Sequence, residues 1–143
     1  MRQITLVALY LTSFACFGSD GCTTATEFQP ALCTVNFPKV SSIQIAENGA
    51  KSPAEDDAVD CSGFKLTDKA IRRFFDRAQE ANGSDAHHTL DWSPCYASGT
   101  LVFNNGQKAE WSINQFQTGS LSIEGEERIF LYCPRCKYHP FRW

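Results

Sequence analysis

The sequence predicts an α+β domain in which one main α-helix packs on an antiparallel β-meander of about four strands, stapled by disulfides. Three observations predict this fold. Residues 67–82 carry apolar side chains at helical spacing, and residues 100–133 contain four short runs in which apolar and polar residues alternate. Six cysteines remain once a predicted leader is set aside, an even number that suits a disulfide framework.

The first eighteen residues have the pattern of a signal peptide. Arg2 precedes an almost entirely apolar run that ends at residue 17, and this run is shorter than the ~20 apolar residues of a membrane span. We therefore expect an exported chain, periplasmic or extracellular, without a transmembrane segment. The prediction assigns residues 1–18 to the signal peptide and 19–143 to a single globular domain. Cleavage after Ala15 and a lipid anchor at Cys16 are alternatives, the anchor being disfavoured by the residues before Cys16.

Loss of Cys16 with the leader leaves the six cysteines expected to form disulfides: Cys22, Cys33, Cys61, Cys95, Cys133 and Cys136. Export favours their oxidation, because the reducing cytosol no longer acts on them. Cys61 precedes the predicted helix and Cys95 follows it, so a disulfide between them would close a loop that contains the helix. Local pairing of Cys22 with Cys33 is favoured. Cys133 and Cys136 pair either with each other or crosswise with the N-terminal arm.

The charge balance argues against one class of partner. Removal of Arg2 with the leader leaves 12 basic and 16 acidic residues, a formal net charge of −4. Nucleic acid is a poor partner for such a chain, because phosphate recognition needs an excess of basic residues. The remaining 125 residues are enough for one ordinary domain with a core of its own.

The region before the helix carries weaker signals. Residues 19–38 show no period and are predicted to form an irregular arm pinned by a disulfide. Residues 39–47 alternate well enough for one strand, and Asn48 and Gly49 predict a turn after it. The acidic residues of 51–62 predict a solvated loop, since the spacing of calcium ligands is absent.

The helix prediction rests on its ends and on its apolar stripe. Thr67 is the expected N-cap, Asp68 lies in the first turn, and Gly83 is the expected residue after the C-terminus. The stripe that faces the core consists of Ala70, Ile71, Phe74, Phe75, Ala78 and Ala81.

Four strands are expected after the helix, at residues 100–104, 108–116, 120–124 and 128–133. Asn105 and Gly106 predict a hairpin between the first two strands. The last strand carries Phe130 and Tyr132 on the face opposite its other apolar residues. A strand that is apolar on both faces is expected in the middle of a sheet or beneath a covering segment.

The most suggestive chemical motif is Cys133-Pro134-Arg135-Cys136, which has the spacing of a dithiol redox centre. No βαβ pattern or following helix accompanies it, so a structural disulfide is the preferred interpretation. Zinc binding with Cys95 or a nearby histidine is disfavoured, because no second ligand pair is present. The polar cluster of Asp85, His87, His88 and Asp91 is interpreted as a turn rather than a metal site. We predict no cofactor, no metal and no catalytic residues.

Two surfaces carry residues suited to a protein partner. The segment 135–143 contains Tyr138, Phe141, Arg142 and Trp143, and residues of these types are frequent at the energetic centres of interfaces. The alternative role for this segment is to fold back over Phe130 and Tyr132. The second surface is a row of basic residues at helical spacing: Lys69, Arg73 and Arg77.

Together these features favour a small exported binding protein rather than an enzyme. We expect an inhibitor or an immunity-type protein that occludes an enzyme or toxin. One alternative is a thiol-disulfide redox protein that uses Cys133 and Cys136. Another is a structural envelope protein or a secreted virulence component without a discrete site.

Overall fold

Seven strands form one antiparallel sheet in the computed structural model of the chain, which describes residues 21–53 and 58–143. The strands are β1 (Leu32–Thr34), β2 (Val40–Lys51), β3 (Gln79–Ala81), β4 (Cys95–Phe103), β5 (Lys108–Asn114), β6 (Thr118–Ile123) and β7 (Ile129–Tyr132). The same described residues contain two helices, α1 (Asp68–Phe75) and α2 (Gly83–Thr89). The strand order across the sheet is β1-β3-β7-β6-β5-β4-β2.

The centre of the sheet is formed by strands β4 to β7, where sequential neighbours pair. Odd-numbered residues of these strands face the core and even-numbered residues face outward, as the alternating sequence requires. Gly106 has a φ of 87° in the turn between β4 and β5, a conformation that glycine adopts without strain. The predicted strands correspond to these four, although β4 begins five residues earlier than expected.

The predicted fold class is wrong, because the chain is mainly a seven-stranded sheet with two short helices. Helix α1 ends at Phe75, with Asp76 as its C-cap, rather than near residue 82. Residues Gln79–Ala81 instead form β3, which pairs with β1 on one side and β7 on the other. The side chain of Asn82 then accepts a hydrogen bond from Ser84 N at 2.9 Å and begins α2. Gly83 is therefore the first residue of a second helix.

The beginning of α1 agrees with the sequence prediction. The Thr67 hydroxyl accepts a hydrogen bond from Ala70 N at 3.2 Å, and Asp68 lies in the first turn. The helix buries Ile71, Phe74 and Phe75 against one face of the sheet. The residues of that face that are most deeply buried are Ala97, Leu101, Phe103, Trp111, Ile113, Leu121 and Leu131.

Strand β2 is longer than predicted and lies at an edge of the sheet. The predicted turn at Asn48 and Gly49 is an irregularity within the strand, where the pairing with β4 shifts register. Gly49 has a φ of 71°, and the Asn48 side chain exchanges hydrogen bonds with the backbone of Leu66 at 2.8 and 2.9 Å. The side chain of Asn48 thus ties the segment before α1 to the sheet edge. Part of the predicted acidic loop, residues 54–57, lies outside the described residues.

The described part of the chain contains three disulfides, and the two pairings favoured from the sequence are confirmed. Cys61 bonds to Cys95, and Cys22 bonds to Cys33. The third bond joins Cys133 to Cys136, which selects local over crosswise pairing. Three formed disulfides fit an oxidising compartment.

The predicted leader, residues 1–18, lies outside the described part of the chain. In the residues that the structure does describe, no helix is long and apolar enough to cross a membrane.

The three disulfides differ in burial, and we expect them to be reduced in a fixed order. Cys22 is exposed and Cys33 is half-buried, whereas the other four cysteines are at most 5% exposed. Thiolate attack needs access to a sulfur, so a mild reductant should open Cys22–Cys33 first. Alkylation at increasing reductant concentration, followed by peptide mass mapping, measures this order. Labelling of Cys61 or Cys136 as early as Cys22 would contradict the expectation.

Candidate functional site

The segment 135–143 is fixed to the end of the sheet by the turn that holds the third disulfide. Cys136 N donates to Cys133 O at 3.0 Å, and the side-chain amide of Gln117 donates to Cys136 O at 3.1 Å. Gln117 is buried and has a φ of 67°, and its own carbonyl accepts from Cys133 N. Gln117, in the turn between β5 and β6, thus holds the start of the segment through one side-chain and one backbone hydrogen bond.

Phe141 anchors the far part of this segment in the core. Its ring stacks on the ring of Phe74 in α1, with centroids 6.0 Å apart. It also packs edge-to-face with the Phe64 ring, and the centroids of that pair are 5.8 Å apart. Only 4% of Phe141 is exposed. The sequence predicts Phe141 as a partner contact, but this burial leaves it almost no surface to present. Its role is to hold its neighbours Tyr138 and Arg142 in place.

Tyr138 joins the two surfaces that the sequence predicts, the basic residues of the helix and segment 135–143. Its hydroxyl donates to Ala70 O on α1 at 3.0 Å, and the Arg73 guanidinium lies over its ring, 4.4 Å from the centroid. A cation at this distance from an aromatic face is attracted to it. Lys69 and Arg73 of α1 therefore form one surface with segment 135–143. Arg77, predicted on the same helix row, lies beyond the end of α1, but its charge still acts on Tyr138. We call this set the basic surface: Lys69, Arg73, Arg77, Tyr138, Arg142 and Trp143.

Burial raises the pKa of Tyr138 to about 12, although the nearby positive charges of Arg73 and Arg77 act in the opposite direction. The phenol therefore stays protonated at every physiological pH and keeps its hydrogen bond to Ala70. The contact between helix and segment is consequently insensitive to ordinary changes of acidity.

Three of the four cations of the basic surface are exposed to solvent. Lys69, Arg73 and Arg142 are exposed, and none of them forms an ion pair with any residue that the structure describes. Trp143 is 69% exposed. Arg72 behaves differently, because it pairs with Asp68 at 2.7 Å and donates to the backbone carbonyls of β2. Arg72 holds α1 on the sheet edge.

Cys133 and Cys136 are joined in a disulfide in which neither residue has measurable exposure. Cys133 follows β7, and no helix begins at it. A redox centre needs an accessible sulfur and a feature that stabilises its thiolate, such as a helix N-terminus. The Cys133–Cys136 bond therefore has the features of a structural disulfide and lacks those of a redox centre.

The polar cluster after α1 is divided by the structure. His87 and His88 lie in the last turn of α2. The His87 ring packs edge-to-face with the Phe130 ring, with centroids 5.5 Å apart. Helix α2, rather than segment 135–143, therefore covers the outer face of β7. In residues 21–53 and 58–143, no group of three His, Cys, Asp or Glu side chains is arranged to hold a metal ion.

The contact between Arg73 and Tyr138 was not predictable from the sequence, because 65 residues separate the two side chains. Comparison with known protein families, with curated proteins and with solved structures finds no match for this chain.

The raised pKa of Tyr138 predicts a loss of stability at alkaline pH. The unfolded chain releases this proton near the ordinary tyrosine pKa of 10, whereas the folded protein holds it to about 12. Between these values the folded state binds more protons, so the free energy of unfolding falls as pH rises. Urea melts between about pH 9 and about pH 12 should show this fall, and Tyr138→Phe should flatten it.

Tyr96 on β4 offers the control, because burial also raises the pKa of its phenol and the nearby Glu47 acts in the same direction. Tyr96→Phe should leave the steep alkaline limb of the wild-type curve in place. An unchanged slope in Tyr138→Phe would show that another group titrates there.

The buried disulfide predicts that the protein does not reduce insulin. We expect turbidity in an insulin-reduction assay to develop at the rate of the uncatalysed control, both for the wild type and for Cys133→Ser. The reason is that neither sulfur is reachable by a substrate disulfide. Wild-type acceleration that Cys133→Ser abolishes would instead support a redox function.

Proposed function

We propose that this protein is an exported binding protein whose basic surface occludes an acidic protein partner, an enzyme or toxin, in the periplasm or outside the cell. The observation that carries the proposal is the Arg73 guanidinium over the Tyr138 ring, 4.4 Å from its centroid. This contact joins the basic residues on and just after α1 to segment 135–143, so that they form one surface.

Charge supports an acidic partner. The chain beyond the predicted leader has more acidic than basic residues, yet the basic surface holds four cations. Segment 135–143 itself contains no acidic residue. A local patch opposite in sign to the rest of the molecule orients an approaching partner and raises its association rate.

Rigidity supports a binding function as well. Segment 135–143 is held by a disulfide, by the buried Phe141 ring and by the hydrogen bond from Arg142 N to Gln115 O at 3.0 Å. Because the segment is already ordered in the free protein, binding does not lose the conformational entropy that ordering a flexible segment would cost. The exposed Trp143 beside this anchored backbone has the chemistry of an interface hot spot.

The proposal predicts that a photo-crosslinker at position 143 captures the partner from native extract, whereas one at position 105 does not. Asn105 is exposed in the turn between β4 and β5, at the opposite end of β5 from Gln115, whose carbonyl accepts from Arg142 N. The captured protein should lose its activity when the purified binding protein is added in equimolar amount. Equal capture from both positions, or a partner whose activity is unchanged, would contradict the proposal.

Matched charge reversals test the electrostatic part. Lys69→Glu should weaken binding of the captured partner about tenfold or more at low salt, and the effect should shrink as salt is added. Lys108→Glu makes the same change at an exposed lysine on β5 and should leave the affinity within about twofold. Equal losses in the two variants would show that only net charge matters.

A further inference from the structure

The outward face of the sheet carries a groove that the basic surface does not use. Helix α2 lies over β7 on this face, and Gly83 makes the close approach possible, because a Cβ there would come 2.7 Å from the Phe130 ring. His87 meets the edge of the same ring. The chain then returns across the sheet through Trp92 before entering β4. Helix α2 and Trp92 are thus the walls of the groove.

Small hydroxyl side chains form the floor. The strand register places Ser98 of β4 opposite Ser112 of β5, which in turn is opposite Ser120 of β6. Ser120 is opposite Phe130, so the row of hydroxyls runs directly to the aromatic wall. The hydroxyls of Ser112 and Ser120 make no hydrogen bond to any described residue. Each remains free to donate and to accept.

Two hollows meet in this groove. One has a volume of about 420 Å³ and lies between α2 and the floor, and the other has about 320 Å³ and lies toward Tyr96. Both are lined by Trp92, Ser112 and Asn114. The larger volume is within the range of small-molecule sites, and the pair could hold a ligand of more than one unit.

Trp92 lines both hollows. The side chain is 55% exposed, and it stacks on no other aromatic ring in the described part of the chain. A large indole face left open beside free hydroxyls is a surface for a ligand that is apolar on one side and polar at its rim. The larger hollow is lined by one acidic side chain, Asp91, and one basic side chain, Arg128, so its lining carries no net formal charge. The lining therefore favours an uncharged ligand.

We propose that this groove binds a neutral oligosaccharide, with successive sugar units on either side of Trp92. A sugar ring presents C–H bonds on a face that can stack on indole, and hydroxyls around its edge that both donate and accept. Ser112, Ser120 and the Asn114 amide supply the matching polar groups. Asn114 Oδ1 already accepts from Phe116 N at 2.9 Å, so its NH₂ group is the part left for a ligand.

The test is a titration of the full exported chain with maltotriose, cellotriose and the trimer of N-acetylglucosamine, each to about 10 mM, followed by amide NMR. We expect at least one sugar to shift the Trp92 indole signal and the amides of Ser112 and Ser120. Adenosine is titrated in parallel, because a nucleobase also stacks on indole. Absence of any shift with all three sugars, or shifts with adenosine alone, would overturn the proposal.

Matched tryptophan variants locate the site. Trp92→Ala should weaken sugar binding about tenfold or more, whereas Trp143→Ala, which removes an exposed indole outside the groove, should leave it unchanged. Ser112→Val keeps a residue suited to a strand and removes the hydroxyl shared by both hollows, and it should also weaken binding. Thermal melts establish that each variant is folded. Wild-type affinity in folded Trp92→Ala would refute the assignment.

Discussion

The packing of Phe74 against Gly119 is the constraint on which the rest of the structure depends. A Cβ at Gly119 would lie 3.0 Å from the Phe74 ring, so the helix can approach β6 this closely only because the residue is glycine. The same ring stacks on Phe141 and meets Phe75 edge-on at 5.5 Å. One fully buried side chain thus fixes the depth of α1 and the path of segment 135–143.

The sheet separates two surfaces of different chemistry. The core face is covered by α1 and by segment 135–143, and its outer layer is basic and aromatic. The outward face is covered only in part by α2, and between the covered β7 and the edge strand β2 it presents small polar side chains. Because each of the strands β3 to β7 pairs with a neighbour on both sides, the two surfaces keep a fixed relation to each other. A protein bound to the basic surface would therefore leave the groove on the other face open.

Local signals in the sequence predicted what depends on neighbouring residues. The Thr67 cap, the alternation of β5 and the turn at Gly106 follow from rules that act over a few positions, and each is present. The bond between Cys61 and Cys95 followed from their places on either side of the helix. The three-residue strands β1 and β3 gave no comparable signal, because such short strands exist only through pairing with distant partners.

The groove could not be predicted because the apolar spacing after Asp76 is compatible with either a longer helix or a turn into a strand. Ala78 and Ala81 continue the apolar spacing of the helix, but both are buried just as well after the chain has turned at Asp76 into β3. Pairing of β3 with β1 and β7 supplies backbone hydrogen bonds on both sides, an advantage that the periodicity of a single segment does not reveal. Since β3 ends at Ala81, Asn82 is free to cap α2, and α2 is what covers Phe130 and walls the groove. The alternation of β5 and β6 already placed Ser112 and Ser120 outward. What the sequence alone did not supply was the wall that turns an open polar face into a site.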